Sequence, residues 1–188
     1  QGFLGMIERN FSQTGLSRTL ELNGKDLSNV PSDQFDLAAT YSVLHHVPDY
    51  LHIVEELCRV VKPGGVIYID HEVTESYFKR PTEYIEFLRK ARPAVNIKRY
   101  LALLLDVPGY IHIFRRIMNP RYKREGDIHV WPDDHIEWGK IEQILIYRGF
   151  EIVLKEDYLL YKNQYSLDVY NEYKDKCADE RLLIGRKQ

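Results

Sequence analysis

The stretch "FDLAATYSVLHHV", from Phe35 to Val47, decides the fold class together with "RVVKPGGVIYIDHE", from Arg59 to Glu72. Each contains a mostly apolar run without strict alternation, which is typical of a strand buried on both faces. Between them, "DYLHIVEELCRVV" has apolar residues at helical spacing, and Asp49 is predicted to start this helix. The Lys-Pro-Gly-Gly segment is predicted to stop the helix before a strand that begins at Val66. Strand, helix and strand within about 35 residues predict a right-handed parallel βαβ unit. The α/β class follows, and polar residues of both strands should meet at one sheet edge, where such sheets bind ligands.

The rest of the chain predicts one domain with an insertion. Residues 75–138 are aromatic, basic and broken by prolines, so we expect two or three helices outside the sheet. "IEWGKIEQILIYRGF" predicts a helix that ends at Gly149. Residues 151–161 and 180–187 predict an antiparallel strand pair, and the segment between them fits a helix or a loop. We therefore treat residues 1–188 as one domain, with 75–138 as a helical acceptor-site or lid insertion.

Composition narrows the function classes. The net charge is −2 over 188 residues, which gives no attraction to nucleic acid, and no nucleic-acid partner is expected. No apolar run approaches the ~20 residues that a transmembrane helix needs. Two cysteines, Cys58 and Cys177, without a C-x-x-C motif favour a reducing compartment, so we expect a cytoplasmic location. Cys58 falls on the predicted helix and is expected to be a core residue rather than a nucleophile.

Three segments together resemble the class I S-adenosylmethionine-dependent methyltransferases. They are "GKDLSNVPSDQFDLAATYSVLHHV", "EELCRVVKPGGVIYIDHE" and "HVWPDDHIEWGKIEQILIYRGFEIV". The resemblance implies a Rossmann-like sheet with an antiparallel C-terminal strand pair, helices on both faces and S-adenosyl-L-methionine as cofactor. It also implies methyl transfer, and the apolar insertion favours a small-molecule or lipid-like acceptor. A non-catalytic binding or oligomerisation module is the alternative, and a homodimer stays open.

One part of the family pattern does not occur in these residues. The family holds the methionine end of its cofactor with a Gly-x-Gly loop after the first strand, and no Gly-x-Gly occurs in the 188 residues. "QGFLGMIERNF" resembles the helix that follows the family's second strand. The resemblance therefore implies that the methyltransferase fold is N-terminally incomplete in these residues. About 60 to 70 residues, or two βα units, would precede Gln1 in the family's complete fold.

The resemblance assigns cofactor contacts to four residues. Asp26 and Leu27 match the adenine end of the site, with Asp26 accepting from the adenine amino group. The alternative for Asp26 is an Asx-turn with its own backbone. Thr40 and Tyr41 lie where the first predicted strand opens into the crevice, and the alternative for Tyr41 is a core aromatic with a hydrated hydroxyl.

Histidines at the strand ends are the candidates for acid–base chemistry. Adjacent histidines at this junction should point in different directions, so at most one faces the substrate. The resemblance favours His46 as the catalytic base over His45, because this position is commonly His in the family's motif, and a turn-fixing role for His46 is the alternative. His71 is the second catalytic candidate. The acid–His–acid run at residues 70–72 resembles a metal site, but Asp70 and Glu72 should share one face while His71 does not, so no metal is expected.

The expected acceptor contacts come from both strand ends and from the insertion. They are His45, Glu72, Tyr110, Phe114 and His129.

Overall fold

The computed structural model describes residues 20, 25–91, 110–111, 114, 117–118 and 136–188. The following elements lie in these ranges, in chain order: β1 (Phe35–Tyr41), a 3₁₀ turn (Leu44–His46), α1 (Tyr50–Val60), β2 (Val61–Val73), α2 (Glu75–Lys79), α3 (Thr82–Ala91), α4 (Trp138–Tyr147), β3 (Phe150–Tyr158), α5 (Leu167–Tyr173) and β4 (Glu180–Lys187).

The four strands form one mixed sheet in the order β1-β2-β4-β3. β1 and β2 are parallel, while β4 runs antiparallel to both of its neighbours, β2 and β3. β4 is therefore inserted between two strands that run in the same direction. This confirms the predicted α/β class, the parallel βαβ unit and the antiparallel C-terminal pair. The carboxyl ends of β1, β2 and β3 all lie at one edge of the sheet, beside the start of β4.

One face of the sheet carries the main core, which α1 and α4 cover. β2 contributes Ile67 and Ile69 to this face and β4 contributes Leu183, all with no exposed surface. α1 begins at its predicted cap, because the Asp49 side chain accepts a hydrogen bond from the His52 amide. Cys58 of α1 is buried in this core, and burial raises the pKa of its thiol to about 12. The prediction of a structural rather than nucleophilic Cys58 agrees with this environment.

β2 begins five residues earlier than the predicted strand at Val66. Phe35 pairs with Val61 and Leu37 pairs with Val66, so residues 62–65 lie opposite the single residue Asp36 and bulge from the β1 ladder with three extra residues. The Lys-Pro-Gly-Gly segment therefore does not separate helix from strand, as predicted, but kinks the strand. Gly65 is required there, since a Cβ would lie 2.8 Å from Val61 Cγ1 and 2.9 Å from the Lys62 carbonyl oxygen.

A second, smaller core joins the start of the insertion to the C-terminal part of the chain. Tyr84, Phe87 and Ala91 of α3 pack with Leu159, just after β3, and with Tyr173 of α5. α2 and α3 agree with the prediction of helices in residues 75–138. Most of the remaining residues of this segment lie outside the described residues. The segment between β3 and β4, for which the sequence fitted either a helix or a loop, contains the helix α5.

Candidate functional site

The carboxyl ends of β1 and β2 are joined by the backbone. The Ser42 amide donates to the Asp70 carbonyl oxygen at 3.0 Å. Ser42, which follows the last residue of β1, and His71, which follows Asp70, both have left-handed backbone conformations, with φ of 54° and 60°. Non-glycine residues adopt this region at an energetic cost, and such residues concentrate at functional sites. The two strand ends thus form one rigid corner at the edge where α/β sheets bind ligands.

The Glu72 carboxylate ties the two strand ends together more strongly. Its Oε1 accepts from the Val43 amide at 2.8 Å and from the Leu44 amide at 2.7 Å. Its Oε2 lies 2.7 Å from His45 Nδ1. The Glu72 side chain has no exposed surface. Glu72 was expected to contact the acceptor, but this burial directs its carboxylate into the protein, where it organises the 3₁₀ turn.

The two adjacent histidines do not diverge as expected. Their ring centroids are 4.0 Å apart, with the ring planes tilted by 48°. The His45 side chain is 12% exposed and is held by Glu72, whereas His46 contacts it from the following position of the turn.

A second β-bulge in β2 separates Asp70 from Glu72. Ile69 pairs with Leu183 of β4 and Glu72 pairs with Arg181, so Asp70 and His71 lie opposite the single residue Leu182 and β2 has one extra residue. Asp70 therefore points to the opposite face, and the expectation that Asp70 and Glu72 share a face is wrong. Simple alternation along the strand fails here because His71 has a positive φ.

Asp70 is saturated with hydrogen bonds on that opposite face. It accepts from the Tyr68 hydroxyl at 2.6 Å, from the Tyr158 hydroxyl at 2.7 Å and from the His71 amide at 2.7 Å. The hydrogen bond to Asp70 raises the pKa of Tyr68 to about 12. Burial and the same carboxylate raise the pKa of Tyr158. Both phenols therefore stay protonated donors at neutral pH.

Tyr41 and His71 form the outer surface of the corner. Their ring centroids are 4.7 Å apart, and Tyr41 is 58% exposed. This exposure argues against the alternative that Tyr41 is a core aromatic.

The loop that carries Asp26 and Leu27 is held by α1. Arg59 donates to the carbonyl oxygens of Leu27 at 2.9 Å and Val30 at 2.8 Å, and Glu56 accepts from the Leu27 amide at 3.2 Å. Arg59 and Glu56 also pair with each other at 2.7 Å, and this bond lowers the pKa of Glu56. Asp26 forms the predicted Asx-turn, since its Oδ1 accepts from the Ser28 amide at 3.0 Å. The turn positions Asp26 but leaves its adenine role a prediction.

The described residues fit a bound cofactor at the end of β1 in one specific respect. The Thr40 hydroxyl is buried and has no hydrogen-bond partner among them. A buried hydroxyl without a partner is costly, and a ligand group can satisfy it. The Thr40 hydroxyl could therefore bind a ligand group at this edge, while cofactor contacts of Tyr41, Asp26 and Leu27 stay predictions.

The insertion residues are only partly described. Tyr110 and Phe114 are helical and are 50% and 64% exposed, which makes both available to a ligand. His129 lies outside the described residues.

Sequence analysis does not single out Tyr158 and Glu180, which reach the same edge from β3 and β4. Glu180 is 6% exposed, and its Oε2 has no hydrogen-bond partner in the described part of the chain. Burial, with a further contribution from Asp179, raises the pKa of Glu180 to about 8. Both lie on strands far from β2 in sequence, so only the inserted position of β4 brings them together with Asp70.

Comparison with known proteins finds a family that the first part of the chain resembles. The family described as "Methyltransferase domain" matches residues 1–69, which include β1, α1 and β2 up to Ile69. Residues 1–69, somewhat more than a third of the chain, are therefore similar to this family.

Among curated relatives, a demethylmenaquinone methyltransferase of Bacillus velezensis is 30% identical over 89 residues, 46% of this chain and 38% of the relative. The chain spans about two fifths of the length of the curated relatives that it matches first.

Solved structures extend the likeness to the fold of nearly the whole chain. A putative sarcosine dimethylglycine methyltransferase from Galdieria sulphuraria matches with a TM-score of 0.50 at 13% identity, over 96% of this chain and 64% of that one. The [4+2]-cyclase SpnF also matches with a TM-score of 0.50, at 16% identity over 97% of this chain and 61% of that one. The Rossmann-like methyltransferase fold is shown, but a protein named for another reaction has the same fold, so the fold alone does not fix the chemistry.

Two further kinds of site were sought in the part of the chain that is described. Its histidine, cysteine and acidic side chains contain no group of three or more that could hold a metal ion. None of its helices combines the length and apolar character that crossing a bilayer requires.

Proposed function

We propose that the protein transfers a methyl group from S-adenosylmethionine to a small-molecule acceptor bound at the carboxyl edge of β1 and β2. The observation that carries this proposal is the match of residues 1–69 to the methyltransferase family. The corner built by Ser42, His71 and Glu72 supports it, because rigid polar groups at this edge suit ligand positioning.

The cofactor, when bound, supplies an activated methyl group on a sulfonium. The chain's own task is then to align the acceptor and to remove a proton from it where needed. Thr40 and Tyr41 would border the cofactor, and His45, His46 and His71 lie at the same strand ends as candidates to hold the proton. Tyr110 and Phe114 are proposed to contact the acceptor, as is His129.

The acceptor class is proposed from two observations. The exposed apolar side chains of the insertion, Tyr110 and Phe114, suit an amphiphilic ring or chain. The Bacillus velezensis relative is named for demethylmenaquinone, a quinone-type acceptor. We therefore propose a lipid-like phenolic or quinol acceptor, with a cytoplasmic location and residues 75–138 forming the acceptor-side lid.

The test uses full-length protein that contains this chain. Calorimetry should give saturable binding of S-adenosylmethionine, and radiolabelled methyl should transfer to a short-chain demethylmenaquinol. Absence of cofactor binding would contradict the proposal. Cofactor binding without transfer to a quinol, a catechol or an amine would instead favour the alternative, a non-catalytic methyltransferase-like binding module.

A further inference from the structure

The strongest unexplained feature of the edge is the number of donors that one buried carboxylate receives. Glu72 accepts from two consecutive backbone amides and contacts His45 Nδ1, all within 2.8 Å. Its side chain is completely buried. A buried carboxylate is retained only where it is well compensated.

The carboxylate determines which nitrogen of His45 carries the proton. An ionised carboxylate can only accept, so the 2.7 Å contact assigns the proton to Nδ1. In the neutral ring Nε2 is then the unprotonated nitrogen. This is the tautomer that can take a proton from an acceptor, and the partner that holds it also stabilises the charged ring that results.

We propose that Glu72 is the positioning residue of the methyl-transfer site and that His45, rather than His46, is its general base. The inference rests on the proposed function. The acceptor's hydroxyl or amine proton would pass to His45 Nε2 as the acceptor atom bonds the methyl group. The bond between the methyl group and the sulfonium sulfur would break at the same time, with its electron pair left on the departing thioether, and the proton is later released to water. Glu72 keeps its charge throughout, because Nδ1–H donates to it before and after the transfer.

The same carboxylate also holds the backbone that carries the base. Val43 and Leu44 begin the 3₁₀ turn, and their amides donate to Oε1. The geometry therefore links the orientation of the His45 ring to the end of β2, where the acceptor is proposed to lie. The His46 ring packs against the His45 ring, with the ring centroids 4.0 Å apart.

Glu72→Gln separates the two roles. The glutamine carbonyl can still accept from the Val43 and Leu44 amides, but its NH₂ group faces His45 Nδ1. His45 must then accept at Nδ1, which moves the proton to Nε2 and removes the base. We expect ¹⁵N NMR to show the Nδ1–H tautomer in the wild type and the Nε2–H tautomer in the variant. Acceptor kcat should fall about 10²- to 10⁴-fold, with cofactor affinity unchanged.

Controls distinguish this from a structural effect. Glu151→Gln makes the same chemical change at an exposed position near the start of β3, far from the carboxyl edge, and should leave kcat and the tautomer unchanged. His45→Ala, which keeps the two backbone bonds of Glu72, should lose kcat by a similar factor, whereas His46→Ala should lose much less. The His45 variant serves if Glu72→Gln fails to fold.

Two results would overturn the inference. One is an unchanged tautomer in Glu72→Gln, and the other is a changed tautomer with undiminished kcat. If the wild type transfers no methyl group while the tautomer still shifts, the proposed function fails and Glu72 is reduced to a residue that fixes the turn.

Discussion

At the scale of single residues, buried carboxylates at one sheet edge have different environments. Glu72 and Asp70 each receive three donors, whereas the Oε2 of Glu180 receives none among the described residues. Glu180 is accordingly the carboxyl whose pKa is raised to about 8 from an ordinary value of 4.5. Burial without donors disfavours the charged form, which is the physical cause of this shift.

The shift predicts how stability depends on pH. Between pH 4.5 and about 8 the unfolded chain releases a proton from Glu180 that the folded chain keeps. Stability from this group is therefore fully present below 4.5 and falls as pH rises toward 8, after which the difference is constant. Glu180→Gln should remove this loss, so its advantage over the wild type should grow from about pH 5 to about pH 8. Urea unfolding at several pH values measures it.

Glu156→Gln, on an exposed position of β3, is the matched control and should leave the pH dependence unchanged. Asp179 also has a raised pKa through burial, so some slope at acidic pH should survive in Glu180→Gln. An identical pH slope in wild type and Glu180→Gln would show that Glu180 titrates normally in the folded protein.

At the scale of elements, β2 positions the site through its two irregularities. The first bulge, at residues 62–65, shifts the register against β1, and the second, after Ile69, turns Asp70 and Glu72 to opposite faces. Each depends on backbone conformations that a regular strand does not contain, Gly64 with φ of 79° and His71 with φ of 60°. Bulges of this kind redirect side chains beside active sites.

The first bulge gives a prediction with a built-in control. Gly65→Ala should destabilise the protein by about 1–3 kcal/mol, because the new Cβ would overlap Val61 and the backbone. Gly139→Ala in α4, where a Cβ would meet no atom within 4 Å, should instead stabilise it by about 0.4–1 kcal/mol. Chemical denaturation of both variants checks the pair. Equal effects of the two substitutions would mean that the crowding at Gly65 relaxes without cost.

At the scale of the whole molecule, the insertion contributes both a core and an exposed surface. Phe87 is completely buried in the second core, which links α3 to α5. Phe114, on a described part of the same insertion, is 64% exposed. Substitution of Phe87 therefore tests the structural role of the insertion, and substitution of Phe114 tests its proposed role in acceptor selection.

Phe114→Ala in the full-length protein should raise the acceptor KM or lower kcat by at least a few-fold, while Tm and cofactor affinity stay unchanged. Phe87→Ala should lower stability by about 3–5 kcal/mol, and it should weaken both ligands only through loss of folded protein. Thermal unfolding, calorimetry and acceptor kinetics on both variants measure these effects. A drop in Tm for Phe114→Ala that matches its loss of turnover would contradict the acceptor role.

The sequence by itself determined the α/β class, the parallel βαβ unit and the antiparallel C-terminal pair. Each depends on hydrophobic periodicity and on capping or turn residues within a short segment, such as Asp49 and Gly149, and such local patterns are set by neighbours in the chain. It also placed His45, His46 and His71 at strand ends, because the end of an apolar run marks the carboxyl edge.

Only the tertiary structure decided how those residues are used. The bulge at Asp70 and His71 breaks the period of two on which the shared face of Asp70 and Glu72 was predicted. The bond between Glu72 and His45 joins residues 27 positions apart, and the one between Asp70 and Tyr158 spans 88. Neither hydrogen bond can be predicted from the periodicity of the sequence, since β4 inserts between β2 and β3 only when the whole sheet assembles. Local pattern therefore placed the edge, and long-range pairing selected the donors and acceptors that meet there.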